Sequence, residues 1–305
     1  MRLLSLVPSG TEILHALGLG EYQVGRSHEC DFPSSVVALP VCTKPLFDTT
    51  LDSSALDRRV KECLSAAASI YEINTEAIKK LRPSHVVTQT LCKVCAVSQE
   101  DVEAVFNSQT SADARIVGLD AYSLQTIWSD ILRVAAACDC SEVGHELVGS
   151  LQLRMNRISQ LTHTAKRRPR VAAIEWVKPL MSAGNWIPEL LDMANADSVL
   201  ASAGVHSPYI EWTELVSSDP DVIVLMPCGF NLARTCSEMR WLVTRSEWRS
   251  LRAVQFGEVY ICDGNQYMNR PGPRISESLQ IFAEILHPDQ FEPSLAGAGW
   301  ERFSS

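Results

Sequence analysis

The sequence predicts an α/β protein of two lobes with mostly parallel sheets, joined by a long spine helix. Three observations carry this. Short apolar runs of strand length alternate with segments of helical periodicity, the pattern of parallel-sheet architectures. Val143, Leu147, Leu151, Met155, Ile158 and Leu161 keep three- to four-residue spacing over roughly two dozen residues, about 35 Å of helix. Finally, residues 75–83 and 213–220 each read as a short helix closed by a proline and followed by an apolar strand. The implied division is an N-terminal lobe at 1–121, a helical spine at 122–168 and a C-terminal lobe at 169–305.

In order, residues 3–7 form a short strand. Ser9-Gly10-Thr11-Glu12 then fits a capping box, with Ser9 as N-cap and Glu12 three positions on. Ile13, Leu14 and Leu17 give that helix its apolar face, and Gly18 is a stop signal. Further strands are expected at 23–26, 85–89 and 115–119, with helices at 54–68, 75–81 and 98–106. The spine takes a helix at 124–137 and the long helix after it. Alternation then resumes with strands at 170–176, 221–226 and 259–262 and helices at 186–195, 213–217, 231–243 and 275–286. Residues 295–305 read as an extended tail.

Composition narrows the function. Of 305 residues, 46% are hydrophobic and 21% charged, enough for ordinary globular cores. A net charge of -9 argues against nucleic acid or an anionic membrane as the main partner. The basic run Lys166-Arg167-Arg168 follows a helical pattern, where cations complement the C-terminal dipole. No apolar stretch is long enough to cross a bilayer, so no membrane insertion is expected. Residues 3–7 are too short for a signal-peptide core, so a cytoplasmic location is expected, or a periplasmic one if a leader has been removed. The chain reads as a monomer or dimer. Hydrolase elbows, phosphate-binding loops and dinucleotide fingerprints are not found, so binding is expected rather than catalysis. The ten cysteines do not resemble a small disulfide scaffold; Cys63, Cys138 and Cys262 read as inert buried thiols.

The element order resembles the cobalamin and ferric-siderophore binding proteins of ABC importers, a fold with a helical backbone. Residues 4–12, Val24-Gly25-Arg26-Ser27 with Asp31-Phe32-Pro33, residues 81–87 and residues 219–224 carry the likeness. A cobalamin-binding-like branch is the nearest match, on His28-Glu29-Cys30-Asp31, residues 89–95, Glu175-Trp176, residues 183–189, Met226-Pro227-Cys228-Gly229 and residues 269–274. The resemblance implies a cobalamin or related corrinoid, or another small-molecule metal chelate, as ligand. It also implies an ABC transporter partner, although those importer proteins are exported and no leader is expected in residues 3–7.

In open α/β sheets ligands bind beyond the carboxyl ends of the strands. Two such lobes are expected to turn those ends toward one cleft. The candidate ligand-binding residues are Pro8, Ser9, Gly10, Thr11, Glu12, His28, Glu29, Gln89, Trp176, Trp186, Gly229, Phe230, Tyr267 and Arg270, with Asn185 added by the resemblance. The turn at residues 9–12 reads either as an anion site at a helix start or as an ordinary capped helix. Trp176 and Trp186 read as flat faces for a large ring or as core. Arg270 pairs with an acidic ligand group or ties down the last helix. The thiols suggest an alternative. Cys92 and Cys95 have the spacing that lets two sulfurs reach one metal, and Cys30 and Cys228 also follow strands. A zinc ion or iron–sulfur cluster on these four would make a cytoplasmic metalloprotein, an enzyme or metal-delivery factor. A redox dithiol and unligated lining thiols are the other readings.

Overall fold

A computed structural model describes residues 1–66, 69–90, 100, 102–103, 106 and 114–304. The chain divides into two compact units. The first holds Met1–Leu51, Arg58–Ala121 and Gln125–Ser150; the second holds Asp52–Asp57, Tyr122–Leu124 and Leu151–Ser305.

The first unit carries β1 (Leu3–Ser5), β2 (Gln23–Arg26), β3 (Thr43–Pro45), β4 (Tyr71–Ile73), β5 (His85–Gln89) and β6 (Arg115–Leu119). Four of them form an all-parallel sheet in the order β2-β1-β5-β6, and β3 pairs antiparallel with β4. Leu4, Leu6, Ile70, Ile78, Val86 and Phe106 form its core. The first helix, Pro8–Ala16, departs from the capping-box expectation. Val7 is the N-cap in an extended conformation, Pro8 opens the helix, and no side chain caps it. A proline there loses nothing, because its missing N–H would have had no helical partner. The far end behaves as expected: Gly18 takes φ 76°, and the Gly18 and Leu19 amides return to the His15 and Leu14 carbonyls.

Helices Leu124–Ala137 and Ser141–Thr162 follow. At 22 residues the second is about 33 Å long. The division between the units falls within it, at Ser150 and Leu151.

The second unit carries β7 (Arg170–Trp176), β8 (Met181–Ser182), β9 (Asp197–Ser198), β10 (Val222–Leu225), β11 (Val259–Cys262) and β12 (Trp300–Arg302). The order is β12-β11-β10-β7-β8, with β9 also on β7. β7, β10 and β11 run parallel, and β8 and β12 are antiparallel to their neighbours. All four residues of β10 are buried, as befits a strand covered on both faces.

The repeated module seen in the sequence is real in both units. Helix Thr75–Leu81 ends at Arg82, φ 44°, before Pro83 and β5; helix Trp212–Ser218 ends at Asp219, φ 36°, before Pro220 and β10. The left-handed residue turns the chain, and the proline prevents the helix from continuing.

Two further expectations are corrected. The extended tail expected at 295–305 holds a strand, since β12 pairs with β11. The buried Glu284 carboxylate fixes it, accepting from Trp300 Nε1 at 2.8 Å, Leu295 N at 3.1 Å and Ser294 Oγ at 2.6 Å. The helix expected at 231–243 is two, Leu232–Glu238 and Arg240–Val243, meeting at Met239. Buried Glu238, which ends the first of them, accepts from the amide and hydroxyl of Ser53. Strands β3, β4, β8 and β9 have two or three residues each, too short for alternation to register. Helix Ser53–Ser65 ends short of the expected 68, with Ala67 and Ala68 outside the described residues. Most of the expected helix at 98–106 also lies outside them.

Candidate functional site

The first unit gathers several candidates where β1 and β2 end. Ser9, Thr11 and Glu12 are buried in the first turns of their helix, and Gly10 lies so close to β5 that a Cβ would meet the Val87 side chain at 2.6 Å. Pro8 is half-buried. The Thr11 hydroxyl donates to Cys30 Sγ at 3.0 Å, and Gln23 Nε2 donates to Thr11 Oγ1 at 3.4 Å. Cys30 is only 1% exposed, and its thiol lies 3.9 Å from the Ser5 carbonyl. It is therefore a hydrogen-bonded interior thiol and not one that lines an open rim.

Arg26 shapes the loop that follows. Its guanidinium donates to the carbonyls of Ser27 at 3.0 Å, Cys30 at 3.2 Å and Val37 at 3.0 Å. The loop thus presents His28 and Glu29, both half-buried. His28 is held twice by Thr43: its amide donates to Thr43 Oγ1 at 3.1 Å, and Nδ1 lies 2.8 Å from the same oxygen. The ring packs against Tyr71, 5.4 Å between centroids. Burial, with the Arg26 charge adding to it, lowers the His28 pKa to about 4. The ring is neutral at pH 7, so its 3.8 Å approach to Glu29 is not an ion pair there. Gln89 is half-buried at the end of β5. Cys92 and Cys95 lie outside the described residues.

The carboxyl edge of the second unit is aromatic and cationic. Trp176, half-buried at the end of β7, lies 5.2 Å from the Phe230 ring and donates its indole N–H to the Ser53 carbonyl at 3.2 Å. The Arg234 guanidinium sits 3.7 Å from the Phe230 centroid on the same assembly. Phe230 is 1% exposed, so it supports the tryptophan and the arginine and offers no face of its own. Gly229 takes φ 75° in the turn that brings Phe230 back, and Cys228 beside it is half-buried. The next turn, Gly264–Met268, is stitched to this one: Gly264 and Asn265 amides donate to the Phe230 carbonyl at 2.9 and 3.2 Å. A Cβ on Gly264 would lie 2.0 Å from the Pro227 carbonyl, so only glycine permits this approach. Tyr267, half-buried on that turn, carries the Arg274 guanidinium 5.2 Å from its ring.

Three candidates are structural. Trp186 is 6% exposed and donates its indole N–H to the Met268 carbonyl at 3.2 Å, so it is core and not a ligand face. Asn185, at φ 51°, pairs its backbone with Val205 and Gly204, which turns the chain after β8. Arg270 is 3% exposed and donates to Asn265 Oδ1 at 3.2 Å, which ties down the turn. Conversely, Arg26, Thr43 and Arg234 were missed by sequence reasoning. Arg234 lies one helical turn into an ordinary capped helix, and nothing in its own pattern marks it. Among the described residues no three histidines, cysteines or acids group to hold a metal ion. Cys30 belongs to the first unit and Cys228 to the second. The four-thiol expectation thus rests on no observed grouping. Burial raises the Cys138 pKa to about 11 and that of Cys262 well above the usual thiol value, consistent with inert thiols. Cys63 is only half-buried.

Residues 3–266 match the family model described as periplasmic binding protein. The uncharacterized ABC transporter substrate-binding lipoprotein YvrC of Bacillus subtilis is 22% identical over 95% of this chain and 81% of its own. A vitamin B12-binding protein of Vibrio cholerae is 22% identical over 93% of this chain and 88% of its own. Among solved structures, the periplasmic vitamin B12 binding protein BtuF of Vibrio cholerae superposes with TM-score 0.67 at 18% identity, covering 95% of this chain and 98% of that one. IsdE of S. aureus, complexed with heme, gives TM-score 0.71 at 16% identity, covering 94% and 98%.

Proposed function

The chain belongs to the periplasmic binding protein family, and from that premise we propose that it is a substrate-binding protein for a planar metal chelate of the corrinoid type. The observation that carries this is the Trp176–Phe230–Arg234 assembly at the carboxyl edge of the second unit. A corrin has broad apolar faces and a periphery of hydrogen-bonding amides. An indole braced from beneath suits the faces. The neighbouring guanidinium of Arg234 suits the carbonyl and phosphate oxygens of the periphery. The Vibrio cholerae relative named for vitamin B12 supports the corrinoid choice, and the lipoprotein relative supports delivery to an ABC transporter as the role.

The test is titration with aquocobalamin, cobinamide and hemin in parallel, read by tryptophan fluorescence and thermal shift. Saturating corrinoid at a hundred times Kd stabilises the fold by about 2.7 kcal/mol. Trp176→Ala is expected to weaken that binding about tenfold. Absence of any thermal shift with both corrinoids overturns the proposal, and a shift with hemin alone moves it to heme.

A further inference from the structure

We infer that Glu238 is a positioning residue for the ligand face: acting through Ser53, it fixes the plane of the Trp176 indole. This rests on the reading of Trp176 given above and deepens it, because it names what holds that ring ready before a ligand arrives.

Packing alone leaves the ring underdetermined. An indole turns about two side-chain torsions, and the outer one is broad. Phe230 meets Trp176 at a tilt of 56°, which supports the ring without fixing its rotation. The one polar atom of an indole is its N–H, a donor only. In Trp176 it donates to the Ser53 carbonyl at 3.2 Å, so the place of that carbonyl sets where the ring edge lies. With the N–H taken, what the ring offers a ligand is its flat apolar face.

The carbonyl is gripped in turn. Asp52–Asp57 belongs to the second unit, although its neighbours in sequence, Leu51 and Arg58, belong to the first. Ser53 is fully buried, and one oxygen of the Glu238 carboxylate, itself 2% exposed, accepts from both the Ser53 amide, at 3.2 Å, and its hydroxyl. Two charge-assisted bonds from one residue to one oxygen leave that residue little freedom. Both ends of the segment are tied as well: Arg240 donates to Asp52 Oδ2 at 3.3 Å, and the Tyr209 hydroxyl donates to Asp57 Oδ1 at 3.2 Å. Arg240 also lies 3.9 Å from the second Glu238 oxygen and balances its charge. A buried carboxylate carries a desolvation cost that apolar packing would not, so its use here points to geometry rather than to stability. Glu238, Ser53 and Trp176 all lie in the second unit.

The test combines nuclear magnetic resonance of isotope-labelled tryptophan with cobinamide titration. Trp176→Phe identifies the Trp176 signal among the seven indole N–H resonances. Glu238→Gln keeps the shape of the side chain and removes its charge; Ser53→Ala is milder and removes only the hydroxyl bond. Each should move the Trp176 resonance in the unliganded protein and leave that of Trp186, held by the Met268 carbonyl, in place. Each should weaken cobinamide binding about three- to fivefold. In a Trp176→Ala background, Glu238→Gln should weaken it by less than about twofold further, because a residue that acts through another has nothing left to act on. A Trp176 resonance unmoved in both variants overturns the assignment and leaves the corrinoid reading standing. Unchanged affinity despite a moved resonance, or losses that add in full with Trp176→Ala, overturns it too. If neither cobinamide nor cobalamin binds the wild type, the corrinoid reading falls, and the indole resonance alone decides whether Glu238 sets the ring.

Discussion

The two units close the same module on different chemistry. Each has a short helix, a left-handed residue, a proline and a buried parallel strand, at Arg82-Pro83 before β5 and at Asp219-Pro220 before β10. Past the strand ends they diverge. The first unit hides its polar groups in a connected interior of Thr11, Gln23, Cys30, Arg26 and Thr43, and exposes part of a neutral imidazole. The second builds a braced aromatic–cation surface on Trp176, Phe230 and Arg234. A scaffold repeated by burial pattern therefore leaves its strand ends free to carry unlike functions, which is why fold and ligand must be argued separately. It also implies unlike weak points in the two rims: packing in the second, hydrogen bonding in the first.

The largest effect should come from the packed rim. Phe230→Ala removes a ring that is 1% exposed between an indole and a guanidinium, and is expected to cost about 3–5 kcal/mol in denaturant titration. A cost under about 1 kcal/mol would mean the aromatic assembly does not brace this edge. The corresponding break in the first unit is Arg26→Met. It keeps the aliphatic stem and strips the donors from the Ser27, Cys30 and Val37 carbonyls. The expected cost is about 2–3 kcal/mol, because the site can relax and admit water. If the two variants cost the same, the contrast between a packed and a hydrogen-bonded rim is lost.

A titration sharpens the contrast further. Asp130 in the first unit is 2% exposed, and burial raises its pKa to about 6, opposed by the Asp120 amide and Arg133. Its folded pKa exceeds the ordinary 3.8, so the native state binds the extra proton. The stabilisation is full below about pH 4 and is lost as pH rises through 6, up to about 2–3 kcal/mol. Asp130→Asn should flatten the slope of stability between pH 4 and 6. An unchanged slope would place that titration elsewhere.

How much of this was legible follows from what a local pattern records. Strands β2, β5, β6, β7 and β11 and helices Leu124–Ala137 and Ile275–Leu286 stand where their apolar spacing put them, because each buries a face of its own. The missed parts depend on partners distant in sequence. β12 is held because Glu284 collects two donors from the segment before it and one from Trp300 within it, and Trp186 is core because Met268, 82 residues on, accepts its N–H. The same holds in the site. His28 could be named from its place after β2, but the contacts that hold it come from Thr43, 15 residues on, in a three-residue strand that left no signal.

The smallest predicted effect tests the repeat most directly, since it sets the two left-handed residues against each other. Arg82, exposed at φ 44°, bears the strain of a Cβ in that region. Arg82→Gly relieves it and gives back part of the gain as extra freedom in the unfolded chain, leaving a net stabilisation of about 0.5 kcal/mol. Asp219 sits at φ 36° but also accepts from the Arg252 amide at 3.3 Å and guanidinium at 2.9 Å, which anchors the helix Arg252–Gln255. Aspartate tolerates the left-handed region better than arginine does, so Asp219→Gly relieves less strain while forfeiting those contacts. Its expected effect is a destabilisation of about 0.5–1 kcal/mol. Opposite signs at matched positions, measured by denaturant midpoint at a constant m-value, would show that the backbone turn is common to both units and that the second has added a tether to it. Equal signs would mean Arg252 contributes nothing measurable, and that the two turns are energetically the same device.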